Sequence, residues 1–143
     1  MLVIDDALLF AVLAGAADDD LRAAADQNEL FTTGSWYWRL SRALHDPASA
    51  GVLSRSMGGL TGEQQARVVA SVERLPDVVG LVSLRELVPV MSALAVGRRL
   101  NLLTAEAIAA AVVLNASIVV TIDSALLTDA SARLGVEVRR VMS

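Results

Sequence analysis

Asp5 and Asp6 close a short apolar run at the start of the chain, Glu106 lies near the start of an apolar helical stretch, and Asp123 closes the run that follows it. Where strands of a parallel sheet end in acids, carboxylates far apart in sequence meet at one sheet edge, the place where divalent metals and phosphate chemistry are found. The chain has no cysteine, which excludes a disulfide framework, a thiolate zinc site and a cysteine nucleophile. A metal held by these residues is therefore a hard cation on oxygen ligands. Each acid also has a purely structural role open to it. Asp5 or Asp6 can cap the first helix, Asp123 or Ser124 can cap the last, and Glu106 in a first turn is favoured by the helix dipole.

The elements that must position these acids alternate along the chain. Leu2 to Ile4 reads as a strand, Ala7 to Ala14 as a helix ending at Gly15, and Asp18 to Gln27 as a second helix opened by acids. Leu30 to Thr33 is a short strand, and Ser35 caps a helix running to about Leu44. Asp46 to Gly59, rich in Pro, Ser and Gly, reads as a loop. Thr61 and Gln64 form a capping box for the helix that ends before Pro76. Val78 to Val82 is a buried strand, and Leu87 to Leu100 a helix with Pro89 in its first turn. Thr104 caps the helix carrying Glu106, Ile118 to Ile122 is the next strand, Ser124 to Leu134 a helix closed by Gly135, and Val136 to Val141 the last strand. Strands separated by helices imply a parallel sheet covered on both faces, with the first strand beside the Ile118 strand.

Composition sets the scale. At 143 residues, 55% hydrophobic and with mean hydropathy +0.55, the chain is expected to form a single domain over residues 1–143. The apolar N-terminal run has no basic flank and carries Asp5 and Asp6, unlike a signal sequence. Ala107 to Leu114 is far short of the ~20 residues of a membrane span. A soluble, cytoplasmic protein with no membrane partner is expected. The net charge is −4 and all twelve basic residues are arginine, which argues against charge-driven coating of nucleic acid but allows a local groove built from Arg39, Arg42, Arg98 and Arg99. Trp36, Tyr37 and Trp38 form the one aromatic cluster. It serves either core packing, expected for Trp36, or base stacking or partner binding, open for Trp38. His45 at a helix end suits a dipole contact. No Ser–His–Asp signature, GxGxxG or P-loop pattern is present.

VIDDALL at the start, TAEAIAAAVVLNASIVVTID and then ALLTDASARLGVEV resemble a PIN domain, the fold of metal-dependent ribonucleases that includes the toxins of bacterial toxin–antitoxin pairs. The resemblance implies a three-layer α/β/α sandwich with a central parallel sheet. It also implies a Mg²⁺ or Mn²⁺ site in which Asp5, Glu106 and Asp123 are catalytic metal ligands, Thr121 being the companion of Asp123. The family's second acid falls on SWYWRLSRAL, where Arg39 holds its place, or Trp38 in the alternative register. Two functions follow as expectations. One is a ribonuclease acting on single-stranded RNA, with Thr121 and Arg39 positioning the substrate and an antitoxin as partner. The other is a catalytically lapsed binding or regulatory module, in which Arg39 pairs with Asp5 or Asp123 and takes the space of a metal. Family relatives often form homodimers, so a homodimer is expected.

Overall fold

Five segments of three or four residues, mainly apolar except for the two arginines of the last, form the strands of one all-parallel sheet: β1 (Leu2–Ile4), β2 (Leu30–Thr32), β3 (Val79–Leu81), β4 (Ser117–Val120) and β5 (Val138–Arg140). The computed structural model describes residues 1–46, 48 and 50–141. The strand order is β3-β2-β1-β4-β5, with Leu2 opposite both Leu30 and Ser117. The expected neighbourhood of the first strand and the Ile118 strand is therefore present, in parallel register. Alternate residues of each central strand enter different cores. Ile4 and Val119 join one face, and Val3, Ile118 and Val120 the other. A parallel sheet covered on both faces needs unbroken apolar strands, which explains why these short segments do not alternate with polar residues.

Helices α1 (Asp6–Leu13), α2 (Asp19–Asp26) and α5 (Gly62–Glu73) contribute to the first core, and α6 (Leu84–Ala95), α7 (Leu102–Leu114) and α8 (Ala125–Arg133) to the second. Between them α3 (Gly34–His45) gives Leu40 and Ala43 to one core and Trp36 to the other. The result is the three-layer α/β/α arrangement. Buried residues run without a break from Thr104 to Ala111, so the middle of α7 is enclosed on all sides. It ends at Asn115, whose φ of 52° stops the helix in the left-handed region. On the edge strand β3, Gly80 lets the Phe31 ring of β2 pack where a Cβ would stand 2.5 Å from ring carbons.

Several boundaries differ from the sequence expectation, each for a local reason. The α3 cap is Thr33, whose hydroxyl accepts from Trp36 N, instead of Ser35. The α7 cap is Asn101 instead of Thr104, and Thr104 supplies the N–H that the Asn101 side chain accepts at 2.8 Å. Ser83 starts α6 one turn earlier than expected, which leaves Pro89 inside the helix, and α6 ends at Ala95 instead of Leu100. Within the expected loop Asp46 to Gly59, a 3₁₀ turn (Gly51–Leu53) leads into a short helix α4 (Ser54–Gly58), while Pro47 and Ser49 lie outside the described residues. Burial of Ala50 and Leu53 in the first core gives this Gly- and Ser-rich segment its order. The capping box at Thr61 and Gln64 is present as expected. Among the described residues, no helix is long and apolar enough to cross a membrane.

Candidate functional site

From β1 the sheet grows one way through β2 and β3 and the other way through β4 and β5. The reversal leaves a crevice outside the carboxyl ends of β1 and β4, the usual ligand position of an open α/β sheet. Asp5 follows β1 directly, and Thr121 follows β4. A cleft of about 270 Å³ lies there, lined by Asp5, Asp6, Arg39, Thr104, Thr121 and Ser124 among others.

Asp5 is buried and its carboxylate is shared between two elements. Oδ1 accepts the Leu8 N–H at 2.9 Å, capping α1, and Oδ2 accepts the Thr121 N–H at 2.7 Å and the Thr121 hydroxyl at 2.9 Å. The TxD threonine thus serves Asp5 as a donor across the β1/β4 seam. Both the capping role and the position at the sheet edge belong to Asp5, and the hydroxyl of Thr121 fixes its orientation.

Asp6, the first residue of α1, projects the other way, toward α3. Its Oδ1 accepts the Ala7 N–H at 3.0 Å, and Arg39 Nε lies 3.2 Å from Oδ2. The approach of Arg39 is close enough for ionic attraction but lacks hydrogen-bond alignment, so Oδ2 is a buried oxygen with no hydrogen-bond donor among the described residues. Burial raises the Asp6 carboxyl above its ordinary value; the Arg39 guanidinium lowers it, and the neighbouring Asp5 charge adds to the rise. Sequence spacing gives Arg39 as the cation of the site but Asp5 or Asp123 as its partner. The structure corrects the partner to Asp6. The signal was the Asp-Asp doublet: once Asp5 turns to cap the helix, the next side chain is rotated ~100° around the axis, toward a different neighbour.

Glu106 lies in the second turn of α7, because Asn101 starts that helix, and not in the first turn as expected. It is 2% exposed and reaches across to the N-terminus of α3. Oε1 accepts the Gly34 N–H at 2.8 Å, Ser35 N–H lies 3.3 Å from Oε2, and the Ser35 hydroxyl donates to Oε2 in a short hydrogen bond. A carboxylate placed on the free N–H groups of a helix start is favoured by both hydrogen bonding and the dipole. A Cβ at Gly34 would sit 3.1 Å from Oε1, so the glycine permits the approach. Gly34 and Ser35 therefore hold Glu106, a role that sequence reasoning missed.

Asp123 is exposed, accepts a short hydrogen bond from the Thr128 hydroxyl, and does not line the cleft. Ser124, not Asp123, caps α8 by accepting the Leu127 N–H. The expected Mg²⁺ or Mn²⁺ ligands thus lie at one end of the sheet but face different partners: Asp5 the seam, Glu106 the start of α3, Asp123 the surface. Among the described residues, no group of three His, Asp or Glu side chains is placed to hold a metal ion. In this arrangement Asp5, Glu106 and Asp123 do not fit a shared ion.

No protein-family model matches the chain, and no curated protein matches it.

The aromatic cluster divides by its position on α3. Trp36 is buried in the second core, the Tyr37 hydroxyl donates to the Val72 carbonyl in a short hydrogen bond, and Trp38 is 59% exposed with the Arg42 guanidinium 5.4 Å from its ring centre. Trp38 borders a second, largely apolar groove of about 540 Å³ with Gly34, Ser35, Arg39, Leu84, Leu102, Leu103 and Glu106. Arg98 and Arg99 line neither the cleft nor this groove. His45 sits in the last turn of α3, Nδ1 2.8 Å from the Ser41 carbonyl and Nε2 3.7 Å from Glu73.

Proposed function

We propose that this chain is a PIN-like domain that works as a binding or regulatory module. The observation that carries this reading is the Arg39 guanidinium beside buried Asp6 in the cleft at the sheet switch point. A guanidinium there supplies positive charge that an acidic pocket would otherwise draw from a divalent ion, and it repels such an ion. The engagement of Glu106 by the start of α3 supports the same reading, since moving that buried carboxylate takes the acceptor away from the Gly34 and Ser35 N–H groups.

The test is thermal unfolding with increasing Mn²⁺, in wild type and in Arg39→Glu. Binding to the native state alone raises the melting temperature, by the equivalent of ~2.7 kcal/mol at a hundredfold excess over Kd. Wild type is expected not to respond, whereas Arg39→Glu, with a third carboxylate beside Asp5 and Asp6, responds. A clear wild-type response abolished by Asp5→Asn overturns the reading.

A second reading is favoured by one observation, the donorless buried Oδ2 of Asp6 next to Asp5 at the switch point. It is a Mg²⁺- or Mn²⁺-dependent ribonuclease of PIN type, the toxin of a toxin–antitoxin pair, with Asp5, Glu106 and Asp123 drawn together. Under that reading wild type cleaves single-stranded RNA in Mn²⁺, and both Asp5→Asn and Asp123→Asn abolish cleavage while the fold is kept. Cleavage surviving both substitutions removes it.

A further inference from the structure

The cleft at the switch point presents two unlike charges to a ligand. Asp5 is fully engaged, its carboxylate held by three donors from Leu8 and Thr121. Asp6 and Arg39 are engaged only with each other, and incompletely. They stand 3.2 Å apart, yet Oδ2 of Asp6 accepts no hydrogen bond and the Arg39 guanidinium donates none among the described residues. A buried carboxylate oxygen without a donor calls for one. Arg39 is half-exposed and borders, besides the cleft, the apolar groove at the start of α7 and a hollow beside Leu53. With open space on these sides and no hydrogen bond to pin it, its head group can turn to meet a ligand and uncover Oδ2. Most of the remaining wall is apolar, made by Trp36, Leu103, Val120, Ile122 and Leu127.

These features select the ligand by charge and size. A simple anion is repelled by Asp5 and Asp6, a simple amine by Arg39, and the net charge of −4 opposes any polyanion. A neutral molecule with a positive and a negative end side by side satisfies both Asp6 and Arg39. In a free α-amino acid one carbon holds the ammonium nitrogen about 2.5 Å from the carboxyl carbon. That separation is comparable with the 3.2 Å between Arg39 Nε and Asp6 Oδ2. The cleft volume of about 270 Å³ falls just below the ~300–1,000 Å³ of sites for drug-sized ligands, which suits so small a molecule. We propose that the cleft binds a free α-amino acid with an apolar side chain. Its ammonium meets Asp6, its carboxylate meets Arg39, and its side chain packs on Leu103, Ile122 and Leu127. The inference rests on the binding-module reading and names the ligand of that site.

The test is calorimetric titration of the full chain with L-leucine, L-valine and L-phenylalanine, at least one of which is expected to bind. For that amino acid, the amide, which lacks the carboxylate, and the N-acetyl derivative, which lacks the ammonium, are each expected to bind wild type about tenfold more weakly. Glycine, without an apolar side chain, is expected to bind more weakly as well. Arg39→Gln is expected to lose the discrimination against the amide, and Asp6→Asn the discrimination against the N-acetyl derivative, changes that a merely structural role of either residue does not produce. No binding of any of the three amino acids, equal affinity for the amide or the N-acetyl derivative in wild type, or both preferences intact in folded variants overturns the proposal. The Mn²⁺ response of the melting temperature, measured on the same wild-type preparation, reports on the binding-module reading separately. A clear response removes that reading, whereas no response together with no amino-acid binding removes only the ligand proposed here.

Discussion

Burial pushes the Asp6 carboxyl above its ordinary 3.8, against the pull of Arg39. Between the unfolded and the folded value, the native state holds more of this proton than the unfolded chain does, so the Asp6 contribution to stability falls as pH rises through that window. Asp6→Asn removes the contribution. The stability of Asp6→Asn relative to wild type is therefore expected to increase from just below pH 3.8 toward neutrality, and urea unfolding across that range checks it. A flat difference shows that the Asp6 proton is not held more tightly in the fold. Glu106 is a buried carboxylate with good donors. Glu106→Ala is expected to cost about 2–4 kcal/mol and Glu106→Gln roughly 1 kcal/mol, read from denaturant midpoints, because charge-assisted bonds from the Gly34 and Ser35 N–H groups to the buried carboxylate are lost or weakened. Both acids stand out in the sequence as acids among apolar neighbours. Their partners do not, because which way a helical side chain points depends on where the helix begins, and that was misplaced for α7.

At the level of elements, strand positions were legible because a doubly covered parallel strand must be a short, unbroken apolar run, and Leu2–Ile4 and Ile118–Val120 are such runs. Helix starts were less legible. Thr33 and Ser35, or Asn101 and Thr104, are all good caps within a few residues of one another, and tertiary contacts decide between them. The start of α6 was misplaced for another reason. Pro89 reads as a first-turn residue, yet Ser83 starts the helix earlier and places the proline in the second turn, where it lacks an N–H for the preceding turn. Because Pro89 is exposed, Pro89→Ala is expected to stabilise the protein, by up to about 3 kcal/mol as the missing hydrogen bond and ring clash are relieved. A melting temperature that stays level or falls would show that the proline is itself required by the packing of α6 on α7.

For the whole molecule, the sheet order places β1 and β4 inside and β3 and β5 at the edges. Val3, Ile4 and Ile118 are fully buried, whereas β5 carries exposed Arg139 and Arg140. Hydrogen exchange is expected to be slowest at the β1 and β4 amides and faster at β5, in line with a gradient of local opening. Uniform protection across all five strands would count against that gradient. The same order has a bearing on how the protein is made. The seam between Asp5 and Thr121 joins residues 116 positions apart. During synthesis β1 can pair early with β2, but its other side stays an open strand edge until β4 has left the ribosome. A nascent chain stalled before Ser117 therefore carries an apolar, unpaired edge in what will be the centre of the sheet, the kind of template on which chains aggregate.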